Sequence, residues 1–147
     1  MKIDPRTGQS TPAERRNPYV LETHSIRVTV SPDYLDDESS PGDNRFVWAY
    51  MIRIENLGPK AVQLRSRYWR ITDATGRVME VRGAGVVGQQ PTLKPGESFE
   101  YTSSTPLSTP SGFMSGIYQM LGEGGEIFQV GIPLFSLDSP HQPRRLH

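Results

Sequence analysis

The sequence predicts an all-β domain: a two-sheet antiparallel β-sandwich of immunoglobulin or fibronectin type III kind, with seven to eight strands. Three observations carry that expectation. Short stretches alternate polar and apolar residues with a period of two. Turn signals rich in glycine, proline and aspartate separate them at close intervals. No segment sustains a 3.6-residue period, because proline or glycine interrupts nearly every stretch long enough for a helix. A closed barrel is the alternative arrangement of such strands.

The elements follow in order. Residues 1–18 are polar, contain Pro5, Pro12 and Pro18, and read as a flexible N-terminal arm. The sandwich is expected over 19–137, and a frayed tail over 138–147 (DSPHQPRRLH). His24 to Val30 alternates as a half-buried strand, and 31–44 (SPDYLDDESSPGDN) is an acidic, turn-rich loop. Phe46 to Glu55 is a long apolar strand covered on both faces, ended by Asn56-Leu57-Gly58-Pro59. Ala61 to Asp73 alternates again. Its alternation puts Val62, Leu64 and Tyr68 on one face and Arg65, Arg67 and Trp69 on the other. Asp73-Ala74-Thr75-Gly76 marks a hairpin into a strand over 77–82. Pro95-Gly96 sets a tight turn before a strand over 98–103. Strands over 113–121 and 126–135 flank the loop Gly122-Glu123-Gly124-Gly125, and there is no internal repeat.

Composition narrows the function. A chain of 147 residues suits one domain. Sixteen basic and sixteen acidic residues leave no net charge, so no global field favours nucleic acid or an anionic membrane. No apolar run approaches the ~20 residues that span a bilayer, and the N-terminus lacks the apolar core of a signal peptide. Membrane insertion is therefore not expected, and a cytoplasmic location is. The absence of cysteine excludes disulfides, thiol catalysis and cysteine-ligated zinc.

Residues 82–91, RGAGVVGQQP, contain Gly83-Ala84-Gly85-Val86-Val87-Gly88, a literal G-x-G-x-x-G. A dinucleotide fingerprint needs a preceding strand, a helix starting on the glycines and an acid ~20 residues further on. The strand is present. Pro91 and Pro95-Gly96 stand where the helix would run, and Tyr101-Thr102-Ser103-Ser104 occupy the place of the acid. A phosphate-binding P-loop fails because Gln89-Gln90 replace the Lys-Ser/Thr pair. The glycines are therefore expected to serve a sheet corner, with Val86 and Val87 plugged into the core. A subtler role is an anion-binding nest of successive amides flanked by Arg82 and Lys94. The candidate anion- or partner-binding residues are Arg82, Gly83, Gly85, Gly88, Gln89 and Lys94.

From about residue 20 to 137 the chain resembles the ApaG domain family. The resemblance rests on Arg67-Tyr68-Trp69-Arg70-Ile71-Thr72-Asp73, Val81 to Pro91, Leu93 to Ser103, Thr109 to Tyr118 and Phe128 to Phe135, in that order. It implies a fibronectin type III-like sandwich. Bacterial members are stand-alone proteins associated with cobalt resistance and magnesium efflux, and their gene tends to neighbour that of a diadenosine tetraphosphatase. Related domains in F-box proteins and in a DNA polymerase-interacting protein look like protein-interaction modules. The family's glycine motif has been suggested to bind pyrophosphate, and no agreed catalytic residue comes with it. Two positions depart from the pattern: Tyr68 stands where histidine is frequent, and Gln89 where glutamate is frequent. Each departure removes a potential metal-binding or proton-transfer group.

Other chemistry finds little footing. The histidines are His24, His141 and His147, two of them in the tail. The acidic loop offers Asp33, Asp36, Asp37, Glu38 and Asp43 without calcium-loop spacing, and reads as solvated. The serines near 103–111 lack a nucleophile elbow. Arg65, Arg67, Tyr68, Trp69 and Arg70 interleave bases and aromatics, which on a neutral chain favours a protein interface over nucleic acid. Arg65, Arg67 and Trp69 form the candidate interaction face. An exposed Trp69 or Trp48 would mark a binding hot spot. The expected function is a non-enzymatic binding or adaptor domain with a protein partner, no catalytic residue and no cofactor. The alternatives are a phosphate-ligand module for pyrophosphate or a dinucleoside polyphosphate at Gly83–Gly88, and divalent-cation binding.

Overall fold

A computed structural model of the chain describes residues 18–141. Most of the expected N-terminal arm and the last six residues of the expected tail lie outside them. The described residues form nine strands: β1 (Tyr19–Thr23), β2 (Ile26–Tyr34), β3 (Phe46–Asn56), β4 (Val62–Asp73), β5 (Val78–Ala84), β6 (Thr92–Leu93), β7 (Ser98–Leu107), β8 (Ser111–Gly122) and β9 (Ile127–Asp138). One sheet runs β1-β2-β3-β7. The other runs β5-β4-β8-β9, with β6 also paired to β4, and every pairing is antiparallel. This is the expected two-sheet sandwich. Its count exceeds seven or eight because β1 is distinct and β6 is only two residues long.

The core lies between the sheets. Tyr50, Trp69 and Phe135 interlock there, with Tyr50–Trp69 centroids 5.3 Å apart and Trp69 edge-on to Phe135 at 6.0 Å. Such offset and edge-to-face contacts suit the ring quadrupoles. Trp48 is also buried, and its indole N–H donates to the Asp138 carbonyl at 2.8 Å. β3 carries a covered strand only over its first half. From Met51 onward it alternates exposed and buried residues.

Two local expectations are overturned. His24 and Ser25 do not open a strand. Both have positive φ (51° and 64°) and form the two-residue turn between β1 and β2. That is the turn geometry whose twist matches a hairpin. In β4 the pairing with β8 shifts between Leu64 and Ser66, so Arg65 is an inserted residue. One extra residue swaps the faces of everything beyond it. Val62, Leu64, Trp69 and Ile71 therefore share the core, while Tyr68 and Arg70 turn outward. The segment from 138 remains anchored as far as His141: Ser139 Oγ donates to the Pro110 carbonyl, and the His141 ring packs near Tyr34 and Phe46.

Candidate functional site

The glycine segment leaves β5 and closes on itself. Val86 N donates to the Gln89 carbonyl at 2.8 Å, and Gln89 N returns a bond to the Val86 carbonyl at 2.9 Å. Val87 (φ 43°) and Gly88 (φ 77°) occupy the two central positions, which defines a type I′ turn. Val86 is fully buried, whereas Val87 is 53% exposed at the tip, so only one of the two valines plugs the core. The other two glycines have separate steric reasons. At Gly85 (φ 62°) a Cβ would run into the Gln89 carbonyl oxygen. At Gly83 it would lie 2.7 Å from Nη1 of Arg67. Arg67 lays its guanidinium there and donates from Nη1 to the carbonyls of Ala84 (3.1 Å) and Gly85 (2.9 Å).

That arrangement is the reverse of an anion nest. The loop aims carbonyls at a cation of its own chain. Its amides at 85, 86 and 89 bond to Arg65, Gln89 and Val86 carbonyls. Arg82 turns onto the outer sheet face, over the Tyr68 ring at 4.7 Å and 3.6 Å from Glu80. Lys94 belongs to a different turn, where its amide donates to the Glu97 carboxylate at 2.7 Å. It lies beside the β6 pairing at Val62–Gln63, whereas Arg82 pairs with Tyr68 further along β4. The six predicted anion- or partner-binding residues are thus not gathered at one point.

The expected interaction face also divides. Trp69 is 3% exposed, buried by the bulge, and Trp48 is buried as well. Arg65 is the bulged residue, and Arg67 is held in the glycine loop. What the bulge brings outward instead is Tyr68. Together with Arg82, Gly83, Ile117, Gln119 and Gln129 it lines an open depression of about 480 Å³ on the five-stranded sheet. The Tyr68 hydroxyl donates to Glu80 at 2.7 Å, and that bond, which needs the proton, raises the phenol's pKa. The change of apolar parity between Leu64 and Trp69 was the signal for this face. Tyr68 adjoining Trp69 disguised it.

Two other concave regions lie elsewhere in the fold. One of about 310 Å³ is lined by His24, Ile26, Asn56, Lys60 and Phe128, and one of about 460 Å³ by Asp43, Arg45, Ile71, Arg77 and Met79. Asp36, Asp37 and Glu38 form an exposed 3₁₀ turn, and among the described residues no three His, Cys, Asp or Glu side chains cluster as metal ligands. No helix among them is long and apolar enough to cross a membrane. Deep in the sandwich, Tyr101 and Tyr118 share a hydroxyl–hydroxyl hydrogen bond of 2.5 Å. Burial pushes both phenols up.

A sequence model of the ApaG domain matches residues 36–122. Protein ApaG of Paramagnetospirillum magneticum is 61% identical over 129 residues, covering 88% of this chain and 99% of that protein. Protein ApaG of Rhodospirillum centenum is 66% identical over 123 residues, covering 84% and 95%. The crystal structure of the putative ApaA protein from Bordetella pertussis superposes with a TM-score of 0.78 at 48% identity, covering 83% of this chain and 99% of that one. On these matches, and on a sandwich carrying the motif stretches in their expected order, the chain belongs to the ApaG domain family.

Proposed function

We propose that this chain is a non-enzymatic binding or adaptor module, with a protein partner seated on the outer face of the five-stranded sheet. The observation that supports it is the depression around Tyr68. An aromatic ring, an arginine stacked on it, an aliphatic floor at Ile117 and the amides of Gln119 and Gln129 stand together in the open. Arginine and tyrosine are enriched among residues that dominate protein interfaces. The two glutamines supply donors and acceptors for a polar rim. Any link to cobalt resistance or magnesium efflux acts, on this reading, through the partner.

The test is capture from native extract on the immobilised full chain, beside a Tyr68→Ala/Ile117→Asp variant of unchanged melting temperature. A protein retained by the wild type and lost by the variant is the expected result. Identical capture by both overturns the reading. A parallel NMR titration with pyrophosphate, cobalt and magnesium separates the alternatives. Shift changes confined to 82–90 with pyrophosphate would replace it with the phosphate-ligand reading. Shifts at Asp36 to Asp43 with the cations would replace it with cation binding.

A further inference from the structure

A sandwich of two open sheets has four edges, and an edge strand offers unpaired N–H and C=O groups to any other strand. Three of the four are covered or blunted here among the described residues. β1 and β9 cover one another: Gly131 N donates to Thr23 Oγ1 at 3.2 Å, and Ser136 N to the Tyr19 hydroxyl at 3.3 Å. At β7, the bond from Asn56 N to the Glu97 carbonyl sets the phase of the ladder. Odd residues of β7 pair with β3 and even ones face the open edge. Pro106 is among the even ones, so that edge lacks a donor.

β5 has no such device. Gly85 N bonds the Arg65 carbonyl at 2.9 Å and Asp73 N bonds the Arg77 carbonyl at 3.0 Å, which fixes the phase of the β4–β5 ladder. Met79, Val81 and Gly83 pair with β4. Val78, Glu80 and Arg82 aim their N–H and C=O groups at the open edge; Ala84 offers its N–H there, while its carbonyl accepts from Arg67. The Glu80 and Arg82 side chains are 49% and 72% exposed.

We propose that β5 pairs with β5 of a second copy, antiparallel about a two-fold axis at Val81. The charge pattern carries this. A two-fold pairing centred on residue 81 sets Glu80 opposite Arg82 of the other copy, and Arg82 opposite its Glu80. Val78 then meets Ala84, and Val81 meets its twin. Glu80 and Arg82 exchange both backbone hydrogen bonds in this register, and the Ala84 N–H reaches the Val78 carbonyl of the other copy. Moving the axis one residue either way sets Glu80 against Glu80 or Arg82 against Arg82, and like charges directly opposite destabilise a strand pair. The same two side chains therefore favour the pairing and fix its register. An isologous contact of this kind closes as a dimer and does not propagate. It joins two five-stranded sheets and places two Tyr68 faces side by side, yet it does not depend on what docks there.

Sedimentation equilibrium of the full chain at low salt, over rising concentration, tests the pairing. The wild type is expected to approach twice the chain mass. Glu80→Arg alone and Arg82→Glu alone are each expected to stay at the chain mass, since each sets like charges opposite. An equal mixture of the two variants regains the doubled mass, because every cross-strand pair in the heterodimer is then of opposite sign. Ala84→Pro removes an outward amide without altering charge and is expected to give the monomer. A wild type at chain mass throughout overturns the proposal. So does a dimer that persists in either single variant or in Ala84→Pro, or a mixture that stays monomeric.

Discussion

Replacing Gly85 by alanine isolates what the G-x-G-x-x-G pattern does in this chain. Two costs add at that position. A non-glycine residue in the left-handed region loses ~1–2 kcal/mol, and Gly85 sits at φ 62°. The new methyl also meets the Gln89 carbonyl oxygen, a backbone atom held by the Val86–Gln89 turn. Forcing a carbon into a packed site costs a further ~1–3 kcal/mol. The sum is about 3 kcal/mol, and at ~3–5 °C per kcal/mol for a domain of this size the melting temperature falls by ~10 °C or more. The neighbours calibrate this. Gly88→Ala carries only the backbone cost of ~1–2 kcal/mol, since nothing lies within 4 Å of the added carbon. Gly83→Ala displaces a flexible side chain and loses the two Arg67 bonds, about 1–3 kcal/mol, so its cost should shrink in an Arg67→Ala background. Differential scanning calorimetry of the four variants and the double mutant measures all of it. A Gly85→Ala protein melting within ~2 °C of the wild type, or Gly88→Ala proving the costliest, would refute this steric account.

The remaining expectations are shorter. Burial raises the Tyr101 and Tyr118 phenols above their unfolded value near ~10, so the unfolded chain releases its protons first. Stability should hold below that pH and fall as pH rises above it. Denaturant unfolding between about pH 8 and 11 reads the decline, and a flat profile would contradict it. Tyr118→Phe leaves the Tyr101 hydroxyl buried without its partner, so a loss of ~1–3 kcal/mol at neutral pH is expected together with a shallower alkaline slope. Val87→Asn creates the favoured Asn-Gly type I′ pair and relieves a β-branched residue at φ 43°. It should raise the melting temperature by ~3 °C, worked from ~1 kcal/mol of backbone strain, and any fall would count against the turn assignment.

Much of the fold was legible because its turns use the residues that turns require. Asp73-Ala74-Thr75-Gly76 is held by the Asp73 carboxylate, which accepts from Thr75 N and Arg77 N. The Thr75 hydroxyl donates to it as well; that bond most of all, and then the two amide bonds, lower its pKa. Gly96 and Gly125 take the positive φ that their turn positions need. The misreadings have two physical origins: residues in conformations that their type disfavours, and a bulge inside an alternating strand. His24, Ser25 and Val87 adopt positive φ without glycine, so composition gives no warning of the turns they make. The bulge at Arg65 is a one-residue event inside an alternating strand. Alternation looks the same on either side of it, and only the shift of apolar residues from even to odd positions betrays it. That single residue decided the candidate site, burying Trp69 and bringing Tyr68 to the surface.

The Arg67 guanidinium gives the strongest argument against reading the glycine segment by its spelling. An anion site needs a positive local field from converging amides. Here the carbonyls of Ala84 and Gly85 converge, and a cation of the same chain already occupies the point where they meet. Phosphate approaching that side meets carbonyl dipoles that oppose it. The other side offers the tip of the turn, where Val87 and Gly88 are exposed. Charge interactions at so open a place are screened by solvent and salt and are worth ~0–1 kcal/mol. Arg82 adds little to such a site while it stacks on Tyr68 and faces Glu80. Three glycines therefore serve three separate steric needs of one edge: a seat for Arg67, clearance for the Gln89 carbonyl and a left-handed turn position. The proposed partner face and the proposed self-pairing strand lie on the sheet and along β5, which the loop terminates.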